Sequence, residues 1–293
     1  MAPITRIGLV AKTRLDAAAG VLRELAAWLA ARGIEPVFEL ETAALAGMPA
    51  GRPTSTREEL PLACDLVVVL GGDGTLIGMA GRIAQAGRDI PILGVNFGSL
   101  GFLTEITLPE LYPALESVLA GTAPIEERML LRSRTLRAGA PQADRLALND
   151  VVITKGALSR IIDLSVEIGD RPAMRIRADG LIVASPTGST AYNLAAGGPI
   201  MHPAVDAIVV TPIAPHMLSN RPSVLPAAAE VRVRPAKDDH DEMFVTIDGQ
   251  SGHALEPHDV VTIRPAERRL RLVRAETRTY FDTLREKLKW SQW

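Results

Sequence analysis

The sequence predicts two domains of different class: an α/β N-terminal domain with a Rossmann-like parallel sheet, and an all-β, sandwich-like C-terminal domain, with a C-terminal helix packing back on the first. Three observations carry this. Up to about residue 123, short apolar runs alternate with longer segments at helical spacing. After it, runs rich in Val and Ile follow one another with only Gly, Pro and Asp turns between them. The tail "TYFDTLREKLKW" returns to helical spacing. The α/β domain is therefore set at residues 1–123, joined by the tail 275–293, and the β-rich domain at 124–274.

In the first domain "ITRIGLV" reads as a strand. Ala17 to Ala31 then places Val21, Leu22, Leu25, Trp28 and Leu29 on one stripe, with Gly33 as a helix-ending residue. "IEPVFEL" and "DLVVVL" are the next strands, Thr75 to Ala86 a helix, "IPILGVN" a strand, and Pro109 to Ala120 a helix with Pro in its first turn. "ETAALAGMPAGRPTST" and "AKDDHDE" read as loops. In the second domain "RMLLRSRTLRA", "RLALNDVVITK", "AIVVTPIAP", "EVRVRPA", "MFVTIDGQ", "DVVTIRPA" and "LRLVRA" read as strands. The arginines of "ERRLRLVRAETR" alternate with Leu270 and Leu272, as in a half-buried strand with its charges in solvent.

Composition narrows the function. With 293 residues the chain can build two cores. A mean hydropathy of +0.15 fits a globular protein, and no apolar run approaches the ~20 residues of a membrane span. A formal net charge of −2 gives no electrostatic footprint for nucleic acid. Cys64 is the single cysteine, so no intrachain disulfide or multi-cysteine zinc site is available, which suits a cytoplasmic location. The five histidines show no metal-ligand spacing. A small-molecule enzyme is the class that remains.

The chemistry gathers at "VVVLGGDGTLIG". A buried strand that ends in Gly71, Gly72 and Gly74 delivers a turn open to positive φ, with N–H groups that a phosphate chain can approach. The helix start near Thr75 adds a positive dipole end. Asp73 inside such a turn would repel phosphate unless it met a cation or took a proton. The Walker pattern and the dinucleotide fingerprint both fail here, since the first lacks its Lys-Ser/Thr pair and the second its glycine spacing. The competing explanation is that Asp-Gly is simply a common turn former.

Three further clusters stand out. "SPTGSTAY" offers Ser185, Thr187, Ser189 and Thr190 with open N–H groups, beside Tyr192, whose ring can stack on a base. In "LND" the pair Asn149-Asp150 interrupts an apolar strand, and in "NFGSLGFL" Asn96 and Phe102 flank a glycine turn. Buried polar groups need partners, and either internal hydrogen bonds or a ligand would provide them.

Taken in order and spacing, "GGDGT", "NFGSLGFL", "LND", "DGLIVASPTGSTAYNLAAGGPI", "PHMLSNRP" and "IDGQ" resemble a bacterial NAD kinase over essentially the whole chain. "GGDGT" alone is shared with diacylglycerol, sphingosine and phosphofructokinases. The resemblance implies transfer of the γ-phosphoryl of ATP, or of polyphosphate, to the 2′-hydroxyl of the adenosine ribose of NAD. Mg²⁺ would accompany ATP, and the protein would be a homodimer or homotetramer with no nucleic-acid or membrane partner. It makes Asp73 the acceptor of the hydroxyl proton and Asn149-Asp150 the holders of adenine and ribose. Phe102, Thr190 and Ala191 would line the adenine pocket, and Asp179 and Tyr192 would contact the nicotinamide end. Gly72, Gly74, Thr75, Asn96, Arg177, Thr187 and Gln250 complete the implied nucleotide site. Asp150 departs from the family's usual Glu by one methylene. Two rival readings stand beside this one: a kinase for lipid or sphingoid acceptors, and a non-catalytic NAD-binding regulator.

Overall fold

The computed structural model describes residues 3–49, 51–98, 100–156, 161–217, 219–236 and 242–290. The chain divides into two compact units, Met1–Glu127 with Leu270–Trp293, and Arg128–Arg269.

The first unit holds a parallel sheet in the order Thr54–Ser55, Glu35–Glu39, Arg6–Ala11, Leu66–Gly71, Pro91–Asn96. Two short segments share its far edge, Arg271–Val273 beside Pro91–Leu93 and Ile106–Thr107 beside Val95–Asn96. Every residue of Leu66–Gly71 and Pro91–Asn96 is buried, as expected where both faces of a parallel sheet are covered. Leu9, Val68, Leu70 and Val95 share one core with Leu22, Leu25 and Leu29 of helix Ala18–Ala30 and with Leu115 of helix Leu111–Ala120. The tail helix Tyr280–Leu288 is capped by Thr279, whose side chain accepts the Asp282 N–H. The Thr283 hydroxyl on that helix reaches the buried Glu105 carboxylate at 3.0 Å, and Arg274 grips the same carboxylate in two bonds of 2.7 and 2.8 Å. The tail therefore packs on the α/β unit through a charge that is fully paired.

Several local expectations change. Residues 41–56 are not all loop: Leu40–Ala46 is a helix, because Glu39 accepts the Thr42 N–H at 2.9 Å as its cap and Gly47 ends it at φ +63°. Thr54–Ser55 forms an edge strand. The helix expected from Thr75 starts at Asp73, with Gly72 as its cap. Pro109 lies in a 3₁₀ turn, Leu108–Glu110, that leads into the α-helix at Leu111. Helix Ala18–Ala30 stops before Gly33, which takes the left-handed turn beyond it at φ +73°.

The second unit is two sheets around one core. One runs Arg171–Ala178, Ile162–Ile168, Val231–Pro235, Val260–Val273, and continues through the hairpin Ile125–Arg137 and Ala140–Ala147. The other runs Ser223–Pro226, Ala207–Ile213, Gly180–Ala184, Asp150–Lys155, Met243–Ile247, Ser251–Leu255, antiparallel throughout. Leu164, Val166 and Ile176 from the first sheet meet Ile153, Leu181, Val183 and Val245 from the second. "RLALNDVVITK" is two strands rather than one, broken at Leu148-Asn149, so that its halves lie in different sheets. "DVVTIRPA" and "LRLVRA" are the reverse case, one continuous strand through Pro265, whose residues from Leu270 on belong to the first unit. Strands Ser223–Pro226 and Ser251–Leu255 form where the sequence carries no strand signal of its own. Lys237 to Asp241 of the acidic stretch lie outside the described residues. Among the described residues no helix is long and apolar enough to cross a membrane.

Candidate active site

Strand Leu66–Gly71 hands its last residue to Gly72 in extended conformation, and Asp73 opens the helix Asp73–Gln85. None of Gly71, Gly72 and Gly74 has positive φ, so the turn does not use glycine for its backbone freedom. Openness is the reason that remains: a Cβ on Gly72 or Gly74 would meet nothing within 4 Å, whereas one on Gly71 would press on Thr75 and Lys12. The approach to the helix N-terminus is bare main chain at Gly72 and Gly74.

The Asp73 carboxylate is held by the next loop. It accepts the N–H groups of Phe102, Leu103 and Thr104 at 2.7, 3.0 and 2.9 Å and the Thr104 hydroxyl at 2.9 Å. Oδ1 takes three of these bonds and Oδ2 one. Gly101 is obligatory for this closeness, since a Cβ there would lie 2.1 Å from Asp73 Oδ1 and 2.3 Å from Thr104 Oγ1. Asn96 secures the same loop, accepting the Gly98 N–H at 2.5 Å and donating to the Thr104 carbonyl at 3.4 Å. Gly72, Asp73, Gly74, Thr75, Asn96 and Phe102 are thus gathered at one strand-to-helix corner. The ring of Phe102 lies 5.8 Å from Lys287 Nζ of the tail helix.

In the second unit Asn149 and Asp150 stand where one strand stops and another starts. Their main chain is fixed from two sides. Asp248, in the turn after Met243–Ile247, accepts the N–H groups of Leu148, Asn149 and Asp150 at 2.8, 2.7 and 3.0 Å. From the other side the Ser185 hydroxyl donates to the Leu148 carbonyl at 2.5 Å and the Ser185 N–H to the Asn149 carbonyl at 2.8 Å. Gly188 packs so close that a Cβ would lie 2.0 Å from the Asn149 oxygen. Burial, with the Asp248 charge beside it, pushes the Asp150 carboxyl up to about 7. Burial raises Asp248 as well, against the lowering effect of its three N–H donors.

Thr187 to Thr190 form a 3₁₀ turn after Ser185, with the buried Arg128 guanidinium 3.4 Å from Thr187 Oγ1. Thr190 donates to the Thr187 carbonyl at 3.2 Å, Ala191 follows, and Tyr192 is 45% exposed. Ser189 and Asn193 have structural partners instead: Ser189 bonds Pro186 and Met201, and Asn193 bonds Ser189, Pro199 and Thr211. Gln250 is exposed in the turn that carries Asp248. Arg177 and Asp179 are elsewhere. Gly180 pairs with Thr154 and Ala184 with Asp150, so Asp179 lies at the far end of strand Asp150–Lys155 from Asn149. There Asp179 pairs with Lys155 Nζ at 2.8 Å, and the Arg177 carbonyl accepts the His216 N–H at 2.8 Å. Sequence reasoning missed Gly101, Thr104, Arg128 and Asp248; the "IDGQ" turn and the second glycine of "GSLG" were the available signals.

Family models for the ATP-NAD kinase N-terminal and C-terminal domains match residues 7–123 and 148–275. The chain belongs to the NAD kinase family. A curated NAD kinase from Geotalea daltonii is 48% identical over 287 residues, covering 98% of this chain and 99% of that one. An NAD kinase from Archaeoglobus fulgidus, solved in complex with ATP, is 26% identical with a TM-score of 0.76, covering 96% of this chain and 99% of that one. A yeast NADH kinase solved with NADH has the same fold, with a TM-score of 0.89 at 24% identity over 99% of this chain and 89% of that one.

Proposed function

We propose that this chain transfers the γ-phosphoryl of ATP to the 2′-hydroxyl of the adenosine ribose of NAD, giving NADP, with Asp73 as the base. The observation that carries this reading is the carboxylate at the first residue of a helix, pinned by three N–H groups and a hydroxyl. A secondary alcohol is a poor nucleophile until its proton has somewhere to go. Each carboxylate oxygen has two lone pairs, and Oδ2 accepts one bond here where Oδ1 accepts three. Oδ2 is therefore the atom that takes the hydroxyl proton as the ribose oxygen attacks phosphorus and ADP departs.

The remaining work is positioning and charge neutralisation. The open main chain of Gly72 and Gly74 at the helix N-terminus receives phosphate. Asn149 and Asp150 hold the adenosine, with Thr187, Thr190, Ala191 and Gln250 of the same unit beside them, and Arg177, Asp179 and Tyr192 serve the nicotinamide end. Mg²⁺ would accompany ATP, carried on its phosphates, a role that needs few protein carboxylates. Polyphosphate would serve as donor by the same chemistry, and a homo-oligomer is the proposed assembly.

The test is purified protein with Mg²⁺, ATP and NAD, the product read by an NADP-specific dehydrogenase, beside a parallel reaction with diacylglycerol as acceptor. NADP formation with no lipid phosphorylation is expected. A folded protein that binds NAD yet makes no NADP from ATP or polyphosphate would overturn the reading in favour of a regulator.

A further inference from the structure

Asp248 belongs to no part of the chemistry described so far, yet its placement is costly. It occupies the left-handed region at φ +52°, where a non-glycine residue is strained. The residue is half-buried, and its carboxylate stands near a buried acid, Asp150. A hairpin turn between Met243–Ile247 and Ser251–Leu255 needs neither feature, since Gly or Asn would fit the same φ at lower cost. What the carboxylate gains is three consecutive amides, Leu148, Asn149 and Asp150, at the point where the chain leaves one sheet for the other. Its own N–H donates back to the Asp150 carbonyl at 3.0 Å. Neighbouring strands would ordinarily satisfy such amides, and at this break no strand ladder does so.

We propose that Asp248 is a positioning residue for dinucleotide binding: by clamping the main chain of residues 148–150 it aims the side chains of Asn149 and Asp150 at the adenosine, and so sets NAD affinity. This rests on the reading that Asn149-Asp150 holds NAD. Two consecutive side chains can serve one ligand only if the backbone between them has a single conformation. Asp248 fixes that backbone through its N–H groups and Ser185 through its carbonyls. ATP binding and the proton transfer at Asp73 make no use of this clamp.

The test compares Asp248→Asn, Ser185→Ala and Asn149→Ala with the parent enzyme. An Asn at 248 keeps the shape, loses the charge and turns an NH₂ toward one of the three N–H donors. Expected for Asp248→Asn is a roughly tenfold rise in the KM and calorimetric Kd for NAD, with the KM for ATP and kcat at saturating NAD within about twofold. Ser185→Ala, which loosens the same segment from its other side, should move the same two quantities in the same direction, and decides the matter if Asp248→Asn does not fold. A folded Asp248→Asn with unchanged NAD affinity would refute the positioning role, as would an equal loss in NAD affinity, ATP affinity and kcat. Asn149→Ala separates the two levels. If it binds NAD like the parent, the underlying assignment of the pair falls and the proposal with it; if it binds weakly while Asp248→Asn does not, only the positioning role falls.

Discussion

Asp73 and Asp248 treat the backbone alike and put it to opposite uses. Each carboxylate collects three successive N–H groups, 102–104 in one unit and 148–150 in the other. At the first corner the loop exists to hold the acid, which opens a helix beside bare glycines. At the second, on the proposed roles, the acid holds the loop, and the residues it clamps are the ones that would face the ligand. A cluster of N–H groups around a carboxylate therefore does not reveal which partner is functional. What separates the two cases is the neighbourhood: Asp73 opens a helix beside the exposed Gly74, whereas Asp248, equally half-buried, stands beside a buried second acid, Asp150.

The sharpest way to break the comparison is at the acids themselves. Asp73→Asn should lower kcat by about 10²-fold or more, because the base is lost while the amide still accepts some of the loop's N–H bonds. NAD affinity should change little. A variant turning over at near the parent rate would remove Asp73 from proton transfer and make the clamp of residues 102–104 purely architectural.

Glycine substitutions probe the clamped segments. Gly101→Ala forces a Cβ to within 2.1 Å of Asp73 Oδ1, and Gly188→Ala forces one to within 2.0 Å of the Asn149 carbonyl. The first obstacle is a short side chain that can swing away at the expense of its hydrogen bonds; the second is main chain that cannot. Gly101→Ala should thus fall mainly on kcat, by about tenfold or more, with a stability cost of about 1–3 kcal/mol. Gly188→Ala should raise the KM for NAD and cost more stability. Steady-state kinetics with denaturant titration would show the split, and the reverse pattern would mean the two corners have been assigned the wrong roles.

At the second corner pH gives a further handle. Folding raises the Asp150 carboxyl from 3.8 to about 7 through burial and the Asp248 charge. Between those values the folded chain keeps a proton that the unfolded chain has released. Stability attributable to this group therefore falls as pH rises through the window, by at most about 1.4 kcal/mol per pH unit. Asp150→Asn should lose that slope, so the variant's melting temperature should decline less than the parent's between about pH 5 and pH 8. Parallel melting curves would show instead that Asp150 is ionised without cost, and that the second corner is as wet as the first.

How much of this was legible depends on whether the signal was local. "LVVVL" and "IPILGVN" announced buried parallel strands because both faces are apolar, and "GGDGT" announced its corner because an acid in a phosphate turn has few scaffold explanations. Helix Leu40–Ala46 reads as loop in the sequence because its Ala-Gly-Pro-rich surroundings outweigh about two turns of propensity, while its cap comes from a glutamate in the preceding strand. The break at Leu148-Asn149 was hidden because "RLALNDVVITK" has one uninterrupted rhythm; what divides it is a carboxylate about a hundred residues away. Asp248 and Thr104 escaped notice for the same reason. Each looks like an ordinary turn or strand residue until the tertiary fold shows whose N–H or carboxylate it meets.

Thr104 offers the smallest and most discriminating effect. Its hydroxyl is one of four donors to Asp73, completely buried, and it is the one that comes from a side chain. Thr104→Val keeps the shape, deletes one bond to Oδ1 and leaves the three N–H bonds in place. If the main chain of residues 102–104 is what orients the base, kcat should drop only about three- to tenfold, with a stability loss of about 1 kcal/mol and no change in NAD affinity. A fall as deep as that of Asp73→Asn would give the hydroxyl a part in the chemistry that a mere orienting bond cannot have. The second corner has a matching case in Ser185, a single hydroxyl on the clamped segment whose loss should register in NAD affinity and leave kcat alone. The two hydroxyl deletions, equal in size and opposite in the constant they move, test whether the corners divide proton transfer from nucleotide recognition.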